Sequence, residues 1–232
     1  MADTTFRATA QHHSLPGNAV IYRLLRAVCS LLFRLLTRYR VIGRENLPTK
    51  GPLLVVTNHL HRLDPPLIMA TLPYRMVVMA ADKYEHTFFG LLLRSAGAIF
   101  VQRGDVDRTA LRQAQEALAG GAVLGIAPEG MRSPTGAMQE GKKGAAFLAY
   151  RVGVPILPVA LWGVEQVPRS LMRLRRAPVR VAIGPILTLP PVQGKPSGKE
   201  LQKATDLIML NLARLLPEEY RGVYQLRNVR EE

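Results

Sequence analysis

A chain of 232 residues with 48% hydrophobic side chains can bury one sizeable core. Its formal net charge of +14 calls for an anionic partner, nucleic acid or an anionic membrane surface. The single cysteine, Cys29, excludes an intramolecular disulfide and a cysteine-cluster metal site.

Residues 1–18 are polar and read as a disordered tail. No signal peptide is expected in them, because no basic stretch leads into an apolar one with a small-residue cleavage site. Residues 19–40 predict an amphipathic helix. Its apolar run is long enough to span a bilayer, but Arg23, Arg26, Arg34 and Arg38 interrupt it, each costly at the bilayer centre. These arginines, with Ser30, recur every three or four residues, opposite Leu24, Leu25, Val28, Leu31, Leu32, Leu35 and Leu36. Two readings stay open: a helix lying in a membrane interface, or one packed by its leucines on the protein's own core.

From residue 41 to 232 the pattern is one α/β domain. An initial strand is expected over Tyr39–Gly43, then strands over Leu53–Thr57, Tyr74–Ala80, Ala98–Gln102, Ala122–Ala127, Val154–Leu161 and Val179–Ile183. Helices are expected over Pro65–Thr71, Tyr84–Ala96, Val106–Ala119, Lys142–Val152 and Ser197–Leu216, the last opened by the capping box Ser197-x-x-Glu200. Two prolines place the Val154–Leu161 strand near an edge or an irregularity. Alternation of strands and helices predicts a central, largely parallel or mixed β-sheet flanked by helices.

The chemistry gathers at strand ends. Asn58-His59-Leu60-His61-Arg62-Leu63-Asp64 follows a buried strand, and ligands of α/β sheets bind beyond the carboxyl ends of strands. A tight turn can bring Asp64 onto one ring nitrogen of His59 and leave the other to take a proton. This is the base and orienter of a catalytic triad, with the nucleophile left to the substrate. Asp64 also precedes Pro65-Pro66 and could be only a helix cap. Arg103 closes the run Gly97–Arg103, with the planar fork suited to a phosphate, and Lys83 follows the preceding strand. In Pro128-Glu129-Gly130-Met131-Arg132-Ser133, Glu129 can accept from hydroxyls and Gly130 allows close backbone approach. Arg132 is a second phosphate candidate. Lys143-Gly144 opens a helix whose N–H groups suit an anion. Val154-Pro155-Ile156-Leu157-Pro158 carries no chemistry and forms a wall.

These four segments, in this order, resemble the signature of the glycerolipid acyltransferases, specifically the 1-acyl-glycerol-3-phosphate acyltransferase family, from about Val41 to Leu161. Asn58-His59-x4-Asp64, Gly97–Arg103, Pro128-Glu129-Gly130-x-Arg132-Ser133 and Val154-Pro155-x-x-Pro158 resemble its successive blocks, and Lys83 and Lys143-Gly144 match too. The chain departs from the pattern at His61, where a small Ser is usual, at Ala127, in place of a Phe, and at Met131, in place of a Thr.

The resemblance implies transfer of a fatty acyl group from acyl-CoA or acyl-carrier protein to the free hydroxyl of a lysophospholipid acceptor, lysophosphatidate. His59 would be the base and Asp64 its orienter. Asn58, Lys83, Arg103, Glu129, Gly130, Arg132 and Ser133 would bind the acceptor, and amides at Gly130, Lys143 or Gly144 the oxyanion. No metal, cofactor or covalent enzyme intermediate is required, since the thioester is itself a substrate. The expected setting is the cytoplasmic face of an anionic membrane, held peripherally. Rival readings are the same chemistry on an amino-acid lipid or glycolipid, and a non-catalytic basic binder of membranes or nucleic acid. A nucleic-acid partner is not expected: aromatic content is 6%, too little for a stacking platform, and no Walker or Gly-x-Gly-x-x-Gly run occurs.

Overall fold

Leu53, Val55 and Leu54, Val56 alternate along one strand, and both pairs are fully buried. A strand apolar on both faces belongs inside a sheet covered on both sides, and the computed structural model puts it there. The structure describes residues 17–49, 51–87, 90, 91, 93, 94, 97–102 and 107–225. The strands are β1 (Arg40–Ile42), β2 (Leu53–Thr57), β3 (Met76–Ala81), β4 (Ile99–Val101), β5 (Val123–Ile126), β6 (Ile156–Trp162) and β7 (Arg180–Ile183). The helices described are α1 (Ala19–Leu36), α2 (Asp64–Thr71), α3 (Arg108–Ala119), α4 (Gly144–Val152), α5 (Val167–Met172) and α6 (Gly198–Arg214).

The strands form one sheet in the order β1-β7-β6-β2-β5-β3-β4. Every pairing is parallel except β6 with β7, so the sheet is mixed. Leu53, Val55, Leu157, Val159 and Leu161 face one layer with Leu67, Ile68 and Leu72 at α2. Leu54, Val56, Leu124 and Ile156 face the other, with alanines of α3 and α4 and with Ile208 of α6. Each such aliphatic side chain contributes about 1.5–3 kcal/mol when fully buried.

Caps fix the helix ends. Asp107 accepts from the amides of Ala110 (2.9 Å) and Gln102 (3.0 Å), starting α3 and holding the end of β4. The Ser197/Glu200 box opens α6 as expected. The expected helix over Tyr84–Ala96 lies partly outside the described residues; its start is a 3-10 turn at Asp82–Tyr84. α5 was not expected, being too short for a periodicity to register.

β6 is not an edge strand, since β2 and β7 flank it. The irregularity expected from its prolines is on the β7 side. There the ladder begins at Val159–Ile183 and resumes only at an isolated Ile156–Leu187 bridge. Pro158 sits in that gap, and its carbonyl accepts from Gly184 N at 2.9 Å.

α1 reverses the core-packed reading. Its leucines face outward: Leu24 is 64%, Leu31 57% and Leu35 61% exposed, whereas Tyr22 and Phe33 are buried. The docked side is held by polar tethers. The Tyr22 hydroxyl donates to Tyr74 O (3.0 Å) and accepts from Met76 N (3.1 Å), and Ser30 Oγ donates to Ala70 O (3.2 Å). Cys29 is half-buried and a free thiol.

Candidate active site

Parallel strands deliver their carboxyl ends to one edge of the sheet. His59 stands two residues beyond β2, Glu129 three beyond β5 and Lys83 two beyond β3. The three strands are neighbours in that order, about 5 Å apart each. Residues far apart in the chain thus collapse into one row.

The turn after β2 folds around Asp64. One oxygen, Oδ2, accepts from His59 Nδ1 (2.8 Å), Leu60 N (2.7 Å) and His61 N (2.8 Å). A carboxylate only accepts, so Nδ1 carries a proton and neutral His59 keeps its lone pair on Nε2. No described residue bonds Nε2, and the His59 side chain is 21% exposed against 2% for Asp64. Asp64 is also the first residue of α2, followed by Pro at the helix start. The cap reading is therefore corrected: Leu63 is the cap residue and no side chain caps α2, because the Asp64 carboxylate turns back to His59, Leu60 and His61. His61 lacks such a partner: its Nδ1 accepts from Leu63 N (3.3 Å) within the turn.

Glu129 braces the pair from the side. Its Oε1 accepts from His59 N and its Oε2 from Gln139 N, both at 3.0 Å. It is 2% exposed. Burial pushes its carboxyl up to about 7, against the pull of those two amides. Ser133 N donates to His59 O (2.8 Å) and Ser133 Oγ to Ala137 O (2.6 Å), so the β5 loop is tied to the His59 backbone.

Several expected binding residues are thereby reassigned. Asn58 is fully buried; its amide donates to Leu161 O and accepts from Leu161 N, both at 2.8 Å, clamping β6 to the His59 turn. Its side chain is spent on that clamp rather than on a ligand. Glu129 engages each oxygen with one backbone amide, so it also holds the His59 turn and the Gln139 loop. Gly130 N donates to Ala127 O (3.0 Å), which removes it as an oxyanion donor.

Lys83 and Arg132 keep their cationic heads available. Lys83 is exposed, with Nζ 5.2 Å from the Tyr84 ring centre. Arg132 is half-buried and bonded to no described residue. Arg103 lies outside the described residues. Lys143 and Gly144 open α4, and no hydrogen bond ties them to the pair. The sequence reading passes over Lys142. Its side chain passes 3.0–3.1 Å from where a Cβ on Gly130 would sit, and Gly130 has φ +72°. The glycine is what could have signalled it: a position without Cβ makes room for something.

The family model described as Acyltransferase matches residues 38–162, more than half of the chain. A 1-acyl-sn-glycerol-3-phosphate acyltransferase of Borreliella burgdorferi is 31% identical over 54% of this chain and 51% of its own length. The alpha form of the enzyme of that name from Mus musculus is 33% identical over 75% of this chain and 61% of its own. The chain thus spans about half to three-fifths of these curated relatives. In three dimensions it resembles the 1-acyl-sn-glycerophosphate acyltransferase PlsC of Thermotoga maritima. That match has a TM-score of 0.63 at 26% identity and covers 91% of this chain and 81% of that one.

Proposed function

The chain belongs to the acyltransferase family, and on that premise we propose that it moves a fatty acyl group from acyl-CoA or acyl-carrier protein to the sn-2 hydroxyl of 1-acyl-glycerol-3-phosphate. The product would be phosphatidate. The names of the relatives support the acceptor class. The observation that carries the reading is the His59–Asp64 pair with an open Nε2 at the strand edge.

An alcohol is a poor nucleophile at neutral pH. As its oxygen attacks the thioester carbonyl, its proton passes to His59 Nε2, an effect of about 10²–10⁴-fold in comparable catalysts. Asp64 fixes the tautomer and stabilises the imidazolium. Collapse of the tetrahedral intermediate breaks the C–S bond, and the imidazolium returns the proton to the leaving thiolate. The ester and a free thiol result, with His59 restored. Lys83, Arg132 and Arg103 are the cations assigned to the acceptor phosphate. Oxyanion donors are assigned to the first amides of α4, at Lys143 and Gly144.

The proposed setting is the cytoplasmic face of an anionic membrane, held peripherally through the exposed leucines of α1. Among the described residues, no helix is long and apolar enough to cross a bilayer.

Thiol release from palmitoyl-CoA, with and without lysophosphatidate in detergent, tests the reaction. Acceptor-dependent release that falls at least about 100-fold in His59→Ala is expected. Equal rates with and without acceptor, for both donor types, would sink the proposal. Loss of rate in Lys83→Ala and Arg132→Ala through KM would place the phosphate there. Unchanged KM would favour a lyso-lipid without phosphate.

A further inference from the structure

α5 ends in a turn with an unusual occupant. Arg175 N donates to Ser170 O (2.9 Å) and Leu174 N to Leu171 O (2.9 Å). This 6→1 and 5→2 pair is a Schellman motif, whose left-handed position is normally glycine. Here it is Leu174, at φ +51°, the sole non-glycine with positive φ among the described residues. For an L-residue that conformation costs about 1–2 kcal/mol. The side chain gains no packing in return, since Leu174 is 98% exposed and Met172 86%. A glycine would serve the fold better and a polar residue would serve solubility better.

The surroundings are cationic. Arg169, Arg173 and Arg175, with Gln166 and Ser170, line a surface cavity of about 360 Å³ at the base of the turn. Arg176, next along, is exposed, but its guanidinium is engaged by backbone. Its Nε and Nη2 donate to Thr37 O at 3.1 and 2.6 Å, and Nη2 also to Arg34 O. The Thr37–Ala177 bridge and the Arg38 N to Ala177 O bond (2.8 Å) complete the junction. The turn is thus fixed rigidly to the end of α1, where Leu32, Leu35 and Leu36 are exposed.

We propose that the Met172–Arg175 turn is a second membrane anchor. Met172 and Leu174 insert among acyl chains while Arg169, Arg173 and Arg175 hold the phosphates of anionic lipids. Two apolar side chains presented on a ring of cations match a bilayer surface, apolar beneath and anionic on top. The turn's rigid attachment to α1 lets the two anchors act together, the second adding to the first without a separate search. The inference rests on the membrane docking proposed above.

The test uses the full chain and vesicles of phosphatidylcholine with phosphatidylglycerol. Flotation of the wild type comes first; a chain that fails to float ends the docking reading and this one with it. For a chain that floats, Leu174→Trp reads the turn, with the emission of Trp162 subtracted using wild type. A blue shift on vesicles, with quenching by lipids brominated on the acyl chains, is expected. Floating protein in which the introduced indole neither shifts nor is quenched overturns the insertion and leaves docking standing. Leu174→Gly separates the turn's membrane role from its role in the fold. Its melting temperature should equal or exceed that of the wild type, while vesicle affinity falls about tenfold. Unchanged affinity would also overturn the proposal.

Discussion

Glu129 is the residue whose chemistry is most constrained. Its carboxyl is raised to about 7 by burial, yet both oxygens hold backbone amides that set His59 and the Gln139 loop. A folded-state value above the unfolded one near 4.3 means the folded chain binds the extra proton between them. Stability contributed by this group is therefore full at low pH and falls as pH rises from about 4.3 to about 7. Glu129→Gln should flatten that slope in urea unfolding. It should also cost about 1–3 kcal/mol, because an amide offers one acceptor oxygen to two N–H donors and leaves one unpaired. A variant with the wild-type slope would show that another group titrates there. Asp64→Asn should cost stability for another reason: its amide oxygen can still serve the imidazole and two amides, but its NH2 is buried where Oδ1 finds no partner. Residue types and spacing made His59 and Asp64 legible in the sequence, because five positions of separation at a strand end allow one tight turn. The roles of Asn58 and Glu129 were not legible. Both side chains bond to backbone far along the chain, at Leu161 and Gln139, and nothing in a residue's type says whether its polar atoms face a ligand or the scaffold.

At the scale of elements, α1 shows what periodicity can and cannot tell. The leucine stripe was visible, but which side docks was not. Docking was decided by Tyr22, Ser30 and Phe33, which find partners at Tyr74, Ala70 and the core. The end of α1 depends on a residue more than a hundred positions away. Arg176 donates to carbonyls of the last turn, where a cation also meets the negative end of the helix dipole. Arg176→Ala should cost about 1–2 kcal/mol and speed amide hydrogen exchange around residues 33–38, leaving α6 unaffected. Equal exchange in both helices would mean the contact carries no stability. Arg173, Arg175 and Arg176 are all exposed arginines of one basic run. Arg176 alone of the three donates to α1 carbonyls among the described residues, which residue type does not reveal. The C-terminal segment acts in a similar way on the site. The Tyr224 hydroxyl accepts from Gly141 N (2.9 Å), and Met138 N donates to Tyr220 O (2.9 Å), bracing the loop that supplies Gln139.

For the whole molecule, one sheet edge gathers His59, Glu129 and Lys83, while α1 and the α5 turn present apolar side chains beside cations. The net charge of +14 and the exposed leucines would act over different distances. Charge attracts the chain to an anionic surface through a Debye length of about 10 Å at 0.1 M salt but only about 3 Å at 1 M. Apolar insertion works only at contact and is not weakened by salt. Flotation on phosphatidylglycerol vesicles should then show two regimes. The wild type should bind tightly at low salt and retain part of its binding at high salt. A variant with Leu24, Leu31 and Leu35 all changed to Ser should keep its fold, because exposed substitutions cost about 0.5 kcal/mol or less each. Its remaining adhesion should be electrostatic and vanish at high salt. The detergent assay, which needs no docking, should give this variant the wild-type rate. The same rate on vesicles would show that α1 does not bring the site to its lipid. Identical salt curves for the two proteins would show that charge alone holds the chain at the surface.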